Sequence, residues 1–275
     1  AQDVPPFTED CRSEMYPPTG PTFRGNVSWY TVNLDQAPQD RWQKLITEKT
    51  ELTDLIQAIK GATAIFPSGK IVDLVDRKLP LLIGTLPSPF GEEIEGIADA
   101  SGLPLGEERF SLDGGYIGVL EWILGKHDGS WMSFLTRSVL ENATSYDEAK
   151  TLLSKTKLLA PAYFILGGNK SEEACVITRS RSSCLDIWEL DLKQGTWYVL
   201  ETNYDRWKAP LPIDNRRGPA MKCMDRTTQQ NISTATIYDM LSTKTSFKLT
   251  AYTTLMSISD NKLEAYLRIC PDPCM

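Results

Sequence analysis

A chain of 275 residues with 41% apolar and 24% charged side chains has globular composition, which excludes wholesale disorder. Lysine and arginine total 29 against 36 aspartates and glutamates, a net charge of −7 with no basic cluster, so nucleic acid is excluded as a partner class. No apolar run approaches the roughly 18 residues of a membrane helix, and a single histidine, His127, excludes HExxH zinc sites and multi-histidine metal centres.

In chain order, residues 1–40 are proline-rich, with one strand-like run from Val27 to Leu34. Helical spacing follows through Trp42, Leu45, Ile46, Leu52, Leu55, Ile56 and Ile59, stopped by Gly61. Two further amphipathic runs cover Ile71 to Leu79 and Glu92 to Ala100. Residues 116–160 again read as helical, with Ser145 and Glu148 set as a capping box. After Pro161 the pattern changes. Ala162–Leu166, Ala174–Thr178, Leu185–Leu192 and Trp197–Thr202 read as strands of an antiparallel meander, separated by turn clusters. A short helix near Ile237–Leu241 precedes a hairpin pairing Thr250–Ile258 with Lys262–Leu267. Helical and strand-rich runs are segregated, which predicts the α+β class.

The start at Ala1-Gln2-Asp3 reads as a mature chain whose targeting segment has been removed. Four Asn-x-Ser/Thr sequons, at Asn26, Asn142, Asn169 and Asn231, favour passage through the secretory pathway. The six cysteines agree with an oxidising compartment. Cys270-Pro-Asp-Pro-Cys274 can close a small disulfide loop, and no second pair at zinc spacing accompanies it. Cys11 and Cys223 lie in polar, proline-adjacent stretches and can staple the two ends of the chain. Cys175, in the apolar run Ala174 to Ile177, reads as a buried, inert thiol. Cys184 follows a serine-rich turn that does not reveal its state.

Among the chemical motifs, Gly114-Gly115-Tyr116-Ile117-Gly118 lacks the preceding strand of a dinucleotide loop, and no serine elbow accompanies His127. Asn203-Tyr204-Asp205-Arg206-Trp207 follows a strand, where an amide donor can serve an oxyanion hole. The plainer reading is a polar turn, and Arg216-Arg217 is by default a solvated pair. No cofactor is implied.

Long strings across nearly the whole chain resemble the acid ceramidase family: PPFTEDCRSEMYPPTGPTFRG near the start, WYTVNLD, FPSGK, GGYIGVLEWILGK, LAPAYFILGGN, TNYDRWK and the final CPDPCM. The resemblance implies an N-terminal-nucleophile hydrolase with an αββα sandwich, here incomplete. It implies a lysosomal and secreted glycoprotein that cuts itself before a cysteine. That cysteine then attacks the amide of ceramide, releasing sphingosine and a fatty acid. Its partners would be ceramide or a related N-acyl lipid, an acidic membrane surface and a lipid-presenting activator protein. By position, Asn203 matches an active-site asparagine that stabilises the oxyanion, Arg216 an active-site arginine, and Glu108 a family glutamate. Cys11 with Cys223 and Cys270 with Cys274 match family disulfides. Asn142, Asn169 and Asn231 match glycosylation sites, whereas Asn26 and Cys184 fall outside the pattern. Residues 1–107 correspond to the helical small subunit and residues 108–275 to a truncated catalytic subunit.

One departure governs the functional expectation. Between the PLGE of residues 104–107 and the ERFS of residues 108–111, family members carry a long block holding the cleavage junction and the Cys-Thr-Ser of the nucleophile. It is missing here, so the resemblance implies a chain that neither cuts itself nor turns over substrate. The alternatives are a non-catalytic lipid- or partner-binding glycoprotein and the related N-acylethanolamine acid amidase. Charge adds one expectation about membranes. At a lysosome-like pH of ~4.5, reference pKa values turn the net charge to roughly +5, which favours salt-sensitive contact with anionic lipid.

Overall fold

The computed structural model describes residues 11, 13–18, 23–48, 86–101, 128–243 and 252–268. They belong to the α+β class and form two units: residues 1–28, 139–155 and 162–275, and residues 29–138 and 156–161.

In the first unit, β2 (Ala162–Gly167), β3 (Ala174–Arg179) and β4 (Cys184–Glu189) form an antiparallel meander in that order. The register pairs Ile165 with Val176 and Val176 with Trp188, and pairs Tyr163 with Thr178 and Thr178 with Asp186. These residues therefore share one face of the sheet. The opposite face carries Phe164, Ile177 and Cys175 and packs on α4 (Tyr146–Lys155). There the buried Arg179 donates to the carbonyls of Leu153 and Ser183, which satisfies its charge against main-chain oxygens. All of Cys175–Arg179 is buried, Thr178 and Arg179 included, so β3 is covered on both faces while its neighbours carry exposed positions.

A second antiparallel sheet runs β1 (Phe23–Asn26), β6 (Lys262–Arg268), β5 (Tyr252–Ser257). Helix α6 (Thr234–Leu241) packs on β5 and on α5 (Arg217–Thr227). Ser233 caps α6 in a reciprocal bond with Thr236. The buried Tyr238 makes edge contacts with the Tyr16 and Tyr266 rings. The N-terminal segment is tied here by Met15 N–H to Asp239 (2.9 Å), by the Tyr16 hydroxyl donating to Glu264 (2.9 Å) and accepting from Lys262 (3.0 Å), and by the disulfide between Cys11 and Cys223, whose Cα atoms are 5.4 Å apart.

The second unit holds α1 (Gln43–Glu48), α2 (Phe90–Ser101) and the first part of α3 (Met132–Asn142). Phe90 stacks on Phe134 at 4.4 Å between ring centroids. Gly96 lets α2 approach the short turn Pro38–Asp40, since a Cβ there would lie 1.9 Å from the Gln39 carbonyl oxygen. Glu93, 3% exposed, accepts from Arg41 (2.7 Å), Trp42 Nε1 (2.8 Å) and both Nη atoms of Arg137. Arg41 also donates to the Leu34 and Gln36 carbonyls, pinning the preceding loop to α2.

Several elements differ from the sequence expectation. The strand predicted over Val27–Leu34 lies earlier, at Phe23–Asn26, because β6 sets its position by pairing Gly25 with Leu267 and Asn26 with Tyr266. Trp197–Thr202 is no strand. The meander ends at the single bridge between Asp191 and Thr196, and Tyr198 bonds instead to Asp225 of α5 at 2.9 Å. Cys223, read from its polar, proline-adjacent surroundings, is buried on α5, a helix the sequence reading did not include. The Ser145 hydroxyl accepts from Glu148 N–H as expected of a capping box, but the Glu148 carboxylate returns to Thr144, one residue earlier. The predicted run Ile71–Leu79 and most of the run ending at Ile59 lie outside the described residues.

Candidate active site

The segment Asn203–Lys208 leaves the irregular chain after β4 and is fixed by side chains rather than by a ladder. On the sheet face shared by Tyr163, Asp186 and Trp188, the Tyr163 hydroxyl donates to Asp205 at 2.7 Å. Arg206 makes two bonds to Asp186, at 2.6 and 3.2 Å, with its guanidinium 5.9 Å from the Trp188 ring centroid. From the start of α5, Arg217 donates to four main-chain carbonyls, those of Tyr204, Asp205, Arg206 and Lys208, the last three at 3.1 Å in two cases from Nη1 and one from Nη2. A fork of N–H donors meets several acceptors at once, which a lysine ammonium does not match. Lys208 closes the loop on Asp205 at 2.7 Å, and this bond leads the causes that lower the Asp205 carboxyl.

This frame presents Asn203 to solvent. Its Nδ2 donates to Asp214 Oδ2 at 2.8 Å, its Oδ1 accepts from Arg216 Nη2 at 2.5 Å, and Arg216 Nε donates to Asp214 Oδ1 at 3.1 Å. The three side chains close a ring of hydrogen bonds. The short turn Pro212–Asp214 and the start of α5 deliver two of them, with Asn215 Oδ1 accepting from Gly218 N–H at 2.9 Å to cap the helix. The Asn203 bond, first among the causes, holds the Asp214 carboxyl below its usual value, and Arg216 and Tyr204 add to it.

The structure thus brings Asn203 and Arg216 together, and it adds Asp214, which the sequence offered only as a neighbour of the arginine pair. It also separates that pair: Arg216 completes the ring, and Arg217 braces the loop. Glu108, His127, Cys270 and Cys274 lie outside the described residues. Asn142, Asn169 and Asn231 are exposed, and Asn26 lies on β1.

Among the described residues the free thiols are Cys175 and Cys184. Cys175 is fully buried on the α4 face of β3, opposite the face that carries the Asn203 loop, and burial pushes its thiol up. Cys184 is exposed at the start of β4, its sulfur 3.5 Å from the Asp186 carbonyl. Among the described residues, no group of three or more His, Cys, Asp or Glu side chains is arranged to hold a metal ion, and no helix is long and apolar enough to cross a membrane.

Comparison with known proteins gives two family models in succession. Residues 25–86 match the beta subunit of N-acylethanolamine-hydrolyzing acid amidase, and residues 102–221 match the linear amide C–N hydrolases of the choloylglycine hydrolase family. The chain is 45% identical to acid ceramidase of Heterocephalus glaber and 44% identical to those of Rattus norvegicus and Homo sapiens. Each alignment covers 100% of this chain and 94–95% of the relative. It runs over 373 positions, 98 more than the chain has residues. Among solved structures, a Caenorhabditis elegans ortholog of N-acylethanolamine-hydrolyzing acid amidase is similar over 50% of this chain and 60% of its own, at 30% identity and a TM-score of 0.43.

Proposed function

The chain belongs to the acid ceramidase family of linear amide C–N hydrolases, and from that membership we propose that it is a ceramide amidase whose nucleophile segment has been removed. It keeps the Asn203–Asp214–Arg216 ring and does not turn over substrate. The observation that supports this reading is the 98-position excess of the alignment over the chain, which we assign to the junction of Glu107 and Glu108 where the family resemblance breaks. The free thiols Cys175 and Cys184 support it, since one is buried on the wrong face and neither stands in a Cys-Thr-Ser context.

In the family's reaction a thiolate adds to the amide carbonyl carbon. The C–N bond breaks as the amine takes a proton and leaves, and water cleaves the thioester to the fatty acid. This chain's contribution to such a step is electrostatic. Asn203 offers an N–H to the oxygen that gains charge, and Arg216 lies beside it. We place the protein in the lysosome and outside the cell, glycosylated at its exposed sequons, meeting lipid at acidic membrane surfaces or from an activator protein. The division into residues 1–107 and 108–275 follows the same reading.

Insertion of the unmatched block of a ceramidase relative between Glu107 and Glu108 tests it. Restored self-cleavage and ceramide hydrolysis support the reading. A folded, self-cleaving insertion protein that hydrolyses N-acylethanolamine faster than ceramide favours the amidase branch, to which the match over residues 25–86 points. A folded insertion protein inactive on both lipids favours a non-catalytic glycoprotein.

A further inference from the structure

The hydrogen-bond ring around Asn203 has a polarity that one amide orientation satisfies. An ionised carboxylate accepts and cannot donate, and a guanidinium donates and cannot accept. Asn203 lies between one of each, with Nδ2 2.8 Å from Asp214 and Oδ1 2.5 Å from Arg216. Turning the amide over would set its oxygen against a carboxylate and its NH2 against a guanidinium, losing two charge-assisted bonds and gaining two repulsions.

We propose that Asp214 is a positioning residue: with Arg216 it locks the Asn203 amide so that one Nδ2 proton is held and the other is left to donate to a substrate carbonyl. The backbone is built to hold Asp214 in that place. Its own N–H donates to the Leu211 carbonyl at 2.9 Å, and its carbonyl accepts from Arg216 N–H at 3.0 Å. The turn therefore fixes both arms of the lock before α5 begins. No described residue takes the second Nδ2 proton of Asn203, which is exposed. The lowered Asp214 carboxyl agrees with a group kept as an acceptor. The lock rests on the reading of Asn203 as the oxyanion donor only for its purpose, since its geometry stands without a ligand.

The test is the hydrogen exchange of the two Asn203 side-chain amide protons, followed by NMR on the full chain. The lock predicts a difference in rate larger than that of a free asparagine amide, one proton protected and the other free. Asp214→Ala should speed the protected proton by about tenfold, the scale of one charge-assisted hydrogen bond, and reduce the difference between the two rates to that of a free asparagine amide. Where that variant does not fold, Asp214→Asn serves, because it leaves one oxygen for two donors and the asymmetry falls. A difference no larger than the free-amide one in the unaltered chain, or an asymmetry untouched by either variant, overturns the proposal. A soluble fatty acylamide added to the same sample separates the two claims. A shift of the unprotected proton supports Asn203 as a substrate donor. No shift, with the asymmetry intact, counts against that reading and leaves the lock standing.

Discussion

Replacing Glu93 by glutamine removes a buried negative charge that Arg41 and Arg137 share, with almost no change of shape. Burial raises this carboxyl, but bonds from Arg137, Trp42 and Arg41 outweigh it and hold it at about 2 against an ordinary 4.5. At about 1.4 kcal/mol per pH unit that gap is worth about 3 kcal/mol, and access of solvent to the Arg137 side reduces it to about 2. A carboxyl lowered in the folded state stabilises above its unfolded value and loses that contribution as pH falls through the folded one. The full amount is therefore present at neutral pH, most of it survives at ~4.5, and it disappears toward pH ~2. Denaturant unfolding of Glu93→Gln and the unaltered chain at steps between pH ~7 and ~2.5 should show a gap of about 2 kcal/mol that narrows on acidification. A gap below about 0.5 kcal/mol at neutral pH, or one constant across the range, would refute the reasoning.

Arg217→Lys should destabilise the chain by about 1–3 kcal/mol, because an ammonium recovers few of the four carbonyl contacts, and should speed tryptic cutting after Arg206 and Lys208. Unchanged stability together with unchanged cutting would show that the brace is dispensable. Maleimide labelling of the native chain, mapped by peptide, should modify Cys184 and spare Cys175 until denaturant is added. Early labelling of Cys175 would contradict its burial.

How far the sequence reaches is clearest in the meander. Turn clusters at Gly167–Lys170 and Arg181–Ser183 mark the ends of β2, β3 and β4, so local chemistry alone places three strands. It fails at Trp197–Thr202, where the aromatic and β-branched run is equally strand-like but the fourth ladder is replaced by a side-chain bond from Tyr198 to α5. It fails at β1 for a related reason, since pairing with β6, more than 230 residues away, decides which stretch extends. Helix α5 was hidden because Gly218 and Pro219 stand in its first turn and charged residues interrupt its apolar positions, and its start is supported by Asn215 accepting from Gly218 N–H. At the candidate site, Asn203 and Arg216 were singled out through family likeness, and the structure shows only that they are hydrogen-bonded. Asp214 and Arg217 were not, because a charged residue in a polar stretch reads as solvated until its partners are placed. A signal was present in the spacing: an aspartate two residues before an arginine brings both to one turn.

The central claim, that this chain carries a ceramidase-family site without its nucleophile, is tested most directly by sphingosine release from ceramide at acidic pH, measured for the chain beside an intact relative. The account predicts release at the level of the uncatalysed background, because loss of the covalent route removes many orders of magnitude of rate. Turnover comparable to that of the intact relative would contradict it.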